Sequence, residues 1–440
     1  MKKKIIYTFL IVLLLVLGYG INYGLNYASI GSAYAAKIVC SCTFVSGREH
    51  QNIRTEDLYA IPFTTTEVDT VNQTVSANIY GVAHTKAIYR KGLGCTLVNE
   101  ITEEELRQQP NILANADTTV DLSLSAAPAE INQKVIQEAF DVAFHEDNKE
   151  HPIRTRGVAV LYKGKLIAER YGKGITAQTP LLGWSMTKSV TNAMMGMLVK
   201  DGKLDIKKPA PLTEWQNDNR KNITIDHLMR MSSGLDFNED YASVSDATNM
   251  LFRKKGAGKF ALTTKTRTEP DKEWYYSSGT TNILQEIMRR QFTNGADYLT
   301  FPHLRLFRKI GMKSAVIEPD ASGVYVGSSF MYATTRDWAK FGQLYLQDGI
   351  WNGERILPEG WVKYSGTETP NSHGQYAAQF WVEHNEKAFP QDAFMALGFE
   401  GQSVTIVPSK QLVIVRLGCT PNENDFDRYA FIEKIVGAVK

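Results

Sequence analysis

The pattern of apolar and polar positions opens with a long apolar run. Over residues 5–23 only glycines, Thr8 and Asn22 interrupt it, and Lys2-Lys3-Lys4 stand ahead of it. A run of this length is near what a bilayer requires, and lysines on its near side keep that end in the cytosol. Residues 1–36 therefore read as a signal or transmembrane anchor, and the body of the chain as exported. Ala33-Tyr34-Ala35 resembles a cleavage site but lies well beyond the run, so a cleaved signal and an uncleaved anchor both stay open. Past this point the periods are short. Residues 74–80 and 86–89 are rich in β-branched and aromatic positions and predict strands, and 102–109 predict a helix capped by Thr102. The polar, small-residue stretch 111–127 reads as a linker.

From Ala129 the pattern changes to longer elements. Residues 131–145 are amphipathic at helical spacing, and 157–161 and 166–171 flank Lys163-Gly164-Lys165 as a hairpin. Further helices are predicted at 190–199, at 225–231 behind Thr224, at 280–292, at 336–348 behind Thr334-Thr335, and at 428–439. A second hairpin, 403–407 with 411–417, turns at Pro408-Ser409-Lys410. Strands at both ends with helices between them predict an α+β domain, its sheet assembled from distant segments around a helical insert.

Composition narrows the function. The 440 residues are 43% hydrophobic and 22% charged, which is globular, and a net charge of +2 leaves no basic excess for nucleic acid. No Walker loop, His-Glu-x-x-His or paired Cys-x-x-Cys site is present, so phosphate-cradle and zinc readings have little support. Four cysteines fit an oxidising compartment without forming a disulfide scaffold. Cys419, closing an apolar run, reads as a buried inert thiol.

The candidate chemistry centres on Ser185-Met186-Thr187-Lys188. Serine and lysine three apart at the head of a helix share one face. A buried, uncharged lysine can take the proton that keeps a serine hydroxyl a poor nucleophile. A second feature is Tyr275-Tyr276-Ser277-Ser278-Gly279, a polar loop before a helix that can deliver a phenol. A third is Gly398-Phe399-Glu400-Gly401-Gln402, where glycines would let a substrate carbonyl near the backbone and a free N–H could complete an oxyanion hole.

In order and spacing these three features resemble the serine β-lactamase and penicillin-binding-protein superfamily. The nearest branch is the class C-like one, with its esterases and 6-aminohexanoate-dimer hydrolase-like enzymes. Residues 223–228 with Met231-Ser232-Ser233-Gly234-Leu235, together with 334–342 and 412–418, support the resemblance, which covers roughly 130–440. It implies a β-lactamase-like antiparallel sheet flanked by helices, plus an all-helical region, over residues 126–440. A small, partly β region of unknown role would occupy 37–125. It also implies that Ser185 is the acyl-accepting nucleophile, Lys188 its base and Tyr276 the proton shuttle, with Tyr275 as the alternative. Backbone N–H groups of Ser185 and Gln402, beside Gly401, would form the oxyanion hole, and no metal or cofactor is implied. Within the same context, Val45-Ser46-Gly47-Arg48 and Gly92-Leu93-Gly94-Cys95 favour a Cys40–Cys95 disulfide over Cys42–Cys95.

Two departures from the family pattern bear on substrate. Ser278 stands where the second motif commonly ends in Asn, which shifts substrate contacts. Phe399, followed by Glu400, stands where the third motif carries Lys or His, so the cation for a β-lactam carboxylate is missing and an acidic group stands nearby. The implied partner is a small neutral or amine-bearing amide or ester. The other class consistent with the sequence is a membrane-anchored binding or sensor protein that uses the same cleft without catalysis.

Overall fold

The computed structural model describes residues 2–112, 122–386 and 389–440. Most of the stretch expected to be a linker, 113–121, thus lies outside the described residues. Helix α1 (Lys2–Phe44) runs without a break through residue 36, so the division expected there falls inside one helix. Its two halves meet different surroundings. Ile5, Phe9, Leu14 and Val16 are more than half exposed, whereas Ala35, Ala36, Val39 and Cys40 are wholly buried. What covers the second half is an antiparallel sheet of β1 (Thr64–Asp69), β2 (Thr74–Ile79), β3 (Val82–Arg90) and β4 (Gly94–Leu97), in sequence order. Strands β1 and β4 were not foreseen, being short and weakly alternating. A Cys40–Cys95 disulfide, Cα atoms 6.0 Å apart, ties α1 to β4. Cys42 and Cys419 are free and buried.

The larger sheet carries the remainder. Its six antiparallel strands run in the order β7 (Trp381–Val382), β8 (Phe394–Gly398), β9 (Gln402–Val407), β10 (Leu412–Gly418), β5 (Thr155–Tyr162), β6 (Lys165–Tyr171). The two predicted hairpins are thus joined through β10 and β5, with Val415 opposite Ala159, so the sheet brings together segments far apart in sequence. Strands β5 and β10 are buried at every position, as expected of strands covered on both faces. Helices α2 (Gln133–Ala143) and α6 (Arg428–Gly437) cover one face with Phe140, Ile432 and Ile435. Helix α5 (Thr335–Leu346) covers the other.

Between the hairpins lies the helical insert, with α3 (Thr187–Lys200) and α4 (Ser278–Arg289) at its centre. Both are buried nearly all round, so their stability comes from packing more than from propensity. Helix α4 begins two residues before the expected point because the Ser277 side chain accepts from Thr280 N and caps it. Residues Leu181–Leu182, Val316–Ile317 and Met331–Ala333 form a small sheet between insert and main sheet.

Candidate active site

Ser185 occupies a single 3₁₀ turn, Trp184–Met186, that leads directly into α3, and Lys188 lies in the first turn of that helix. The pair sits on one face, as the spacing predicts. Because α3 is buried, the Lys188 side chain is almost fully removed from solvent, and its Nζ has three oxygen neighbours. These are Ser185 Oγ at 3.0 Å, Ser278 Oγ at 3.0 Å and the Ser328 carbonyl at 3.1 Å. Burial lowers the Lys188 amine to about 8, and the Glu239 carboxylate works against that shift. A neutral amine has two protons and one lone pair. It can donate to Ser278 Oγ and Ser328 O while its lone pair accepts the Ser185 hydroxyl.

Tyr276 reaches the same point from the loop ahead of α4. Lys188 Nζ stands 4.7 Å from its ring centroid, and the nearby Ser185 side chain favours the ionised phenol without outweighing burial. Burial holds the phenol well above its usual range, so it remains protonated. Tyr376 and Trp381 wall in its ring at 5.7 and 5.3 Å. The alternative, Tyr275, lies elsewhere: its ring is under the Arg267 guanidinium at 4.2 Å and its amide donates to Met231 O.

The turn after β8 differs from expectation in four respects. Gln402, expected to lend its amide to an oxyanion hole, pairs with Gly398 across the hairpin. Its buried side chain braces the turn, with Nε2 donating to Phe399 O at 3.1 Å and Gly418 O at 2.7 Å. The residue that meets the serine is Gly398: a methyl group there would clash with Gly183 O and lie 3.2 Å from Ser185 N. Gly401, at φ +79, is required instead by a left-handed backbone packed onto the Arg416 guanidinium. Glu400 does not face a substrate. It is buried behind Trp184, accepts from Trp184 Nε1 at 3.1 Å, and is pushed up to about 7 by burial. Phe399 is the exposed member of the turn, with its ring edge-on to Trp184 at 5.8 Å.

Ser278 also departs from the expected substrate contact. It is wholly buried, accepts from Lys188 Nζ, and lies 2.8 Å from the Tyr241 hydroxyl. Glu239 accepts from Ser278 N at 2.8 Å and from Tyr241 Oη at 2.7 Å, which places its carboxylate behind the residue that Lys188 contacts. Glu239, Tyr241 and Ser328 escaped the sequence reading because they lie in irregular segments and meet Lys188 only in space. Among the described residues no cluster of His, Cys, Asp and Glu is arranged to hold a metal ion.

An antiparallel sheet with flanking helices and a helical insert, gathered around half-buried Ser185 and Tyr276 and the buried Lys188, defines a β-lactamase-fold serine hydrolase. The chain belongs to the beta-lactamase family, whose model matches residues 140–436. A 6-aminohexanoate-dimer hydrolase from Paenarthrobacter ureafaciens is 25% identical over 296 residues, covering 61% of this chain and 73% of that one. A solved structure assigned as a 6-aminohexanoate-dimer hydrolase from Bacillus anthracis aligns with TM-score 0.60 and 23% identity, covering 74% of this chain and 88% of its own. A family VIII carboxylesterase aligns with TM-score 0.56 and 15% identity, covering 72% and 98%.

Proposed function

We propose that this chain is a membrane-anchored, exported serine hydrolase that cleaves a small amide or ester through an acyl-enzyme on Ser185. The observation that carries the reading is the Lys188 amine, dry, lowered to about 8 and 3.0 Å from Ser185 Oγ. Lys188 takes the hydroxyl proton as Oγ attacks the carbonyl carbon. The oxyanion is received by the backbone N–H groups of Ser185 and Phe399, the latter one residue beyond the close approach at Gly398. Tyr276, whose ring lies beside Lys188 Nζ, passes a proton to the leaving amine or alcohol and recovers it from the Lys188 side. Water then enters, gives up a proton to the same pair, and releases the acid.

Substrate class follows from the turn and from the relatives. Residues 394–402 contain no Lys, Arg or His. A charge-assisted hydrogen bond from such a cation to a substrate carboxylate is worth about 1.5–3 kcal/mol, or roughly ten- to a hundredfold in binding. Relatives named for a 6-aminohexanoate dimer and for carboxylic esters point to amide and ester substrates without a β-lactam ring. The detergent-solubilised full chain should hydrolyse short p-nitrophenyl esters and linear amides, and turn over a chromogenic cephalosporin at least ten- to a hundredfold less well. Efficient cephalosporin hydrolysis would contradict this assignment.

The anchor reading rests on α1. Its apolar first half is exposed, whereas the cleavage-like Ala33 and Ala35 are 1% and 0% exposed, inside the fold. A cut there would leave a charged terminus in the core, at a cost of several kcal/mol. The mature protein should therefore be found in membranes at full-length mass. A soluble form beginning at Ala36 would show that the helix is a removed signal.

A further inference from the structure

Trp184 immediately precedes the proposed nucleophile and adopts φ +46, in the left-handed region that a bulky side chain rarely occupies. Such a conformation persists only where the surroundings hold it, and here they hold the indole on several sides. Its Nε1 donates to Glu400 Oε2 at 3.1 Å, the Phe399 ring meets it edge-on, and Phe330 lies at 6.1 Å. The remaining contact comes from α1: the Tyr34 ring stacks on the indole, centroids 6.3 Å apart and planes within 13°.

Helix α1 lies outside the family match, which begins at residue 140. It is nevertheless fixed firmly against the hydrolase fold. Lys37 and Ser41 both bind the buried Glu318 carboxylate, at 2.5 and 2.7 Å, and Cys40 is bonded to Cys95. Lys37 Nζ also stands 4.6 Å from the ring of Phe330, two residues beyond Ser328, whose carbonyl accepts from Lys188. Tyr34 is itself steadied by its hydroxyl, which donates to Asp57 O at 3.3 Å, and by an edge contact with Phe252 at 5.7 Å.

We propose that Tyr34 is a positioning residue of the hydrolase site, contributed by the N-terminal helix and acting through Trp184. The proposal rests on Ser185 being the nucleophile. The Ser185 amide is bonded to the Trp184 carbonyl, so rotation at Trp184 moves both the N–H that faces the oxyanion and the Oγ that attacks. With the Tyr34 ring gone, one face of the indole opens and the strained backbone can relax. A displacement of about 1 Å in a reacting group is enough to cost up to a hundredfold in rate. The N-terminal helix thus braces the turn that carries the nucleophile as well as serving as a tether.

The test uses the solubilised full chain carrying Tyr34→Ala, Tyr34→Phe or, as a control, Val75→Ala. Val75 is buried in β2, within the same N-terminal unit. Steady-state hydrolysis of a p-nitrophenyl ester and the rate of fluorophosphonate labelling are read together. Tyr34→Ala should lower kcat and the labelling rate about tenfold with KM within about twofold. Tyr34→Phe, which keeps the ring, and Val75→Ala should stay within about twofold of the parent. Tyr34→Leu carries the test if Tyr34→Ala does not fold. Parental kcat and labelling in the Tyr34→Ala or Tyr34→Leu protein would overturn the proposal. So would an equal loss in Val75→Ala, which would mean general loosening. Labelling that survives Ser185→Ala would strike instead at the nucleophile assignment beneath it.

Discussion

Turnover by a Ser185→Ala protein should fall by roughly four orders of magnitude while the fold stays intact. Without Oγ there is no acyl acceptor, and what remains is whatever binding and the oxyanion donors give to direct attack by water. A ten-thousandfold loss corresponds to about 5.5 kcal/mol of transition-state stabilisation. The structural cost is much smaller. The hydroxyl is hydrogen-bonded to Lys188, and losing one net hydrogen bond costs about 1 kcal/mol, or a few degrees in Tm for a domain of this size. Loss of activity with Tm nearly unchanged separates chemistry from folding. A variant retaining a tenth of the parental rate would place the nucleophile elsewhere.

Lys188→Met should slow the reaction about a hundred- to ten-thousandfold, the range a general base commands. It should also remove the pH dependence that Lys188 imposes. Burial lowers this amine to about 8, and the working form is the deprotonated one, so kcat/KM should rise through that pH. The neutral fraction grows from about one-tenth at pH 7 to about nine-tenths at pH 9, a gain of roughly ninefold. Glu239 holds the amine up, so Glu239→Gln should move the rising limb to lower pH. Methionine fills most of the lysine volume but leaves the Ser328 carbonyl without this donor, so a modest loss of stability is expected beside the kinetic one. A Lys188→Met enzyme with full rate and the parental profile would make the lysine structural only.

The parts of the fold that were legible in the sequence are those with local causes. Lys163-Gly164-Lys165 and Pro408-Ser409-Lys410 turn strands whose apolar runs are visible, and Ser185 and Lys188 lie three apart at the head of one helix. Tyr276 was legible as a phenol placed just ahead of a helix. What stayed hidden depends on distant partners. Lys37 and Ser41 gave α1 a polar second half, and the reason they are tolerated, Glu318, stands 281 and 277 residues away. A charged residue in a glycine turn suggests solvent, yet Glu400 is 5% exposed because its left-handed backbone, φ +63, aims it at Trp184 Nε1. The same turn decides which amide can face the serine. A reading by motif spacing pointed to Gln402, whereas the register pairs Gln402 with Gly398 and brings Gly398 against Ser185. Ser278 was visible as a residue type, but its complete burial beneath Lys188 was not.

The central claim is that Ser185 carries the acyl group, and intact-mass spectrometry with a fluorophosphonate probe, followed by peptide mapping, tests it most directly. The parental protein should gain one adduct, on Ser185, with a labelling rate that rises between pH 7 and 9, and the Ser185→Ala protein should gain none. An adduct on another residue, or a parental protein that takes up no probe at any pH, would contradict the account and leave the cleft as a binding site.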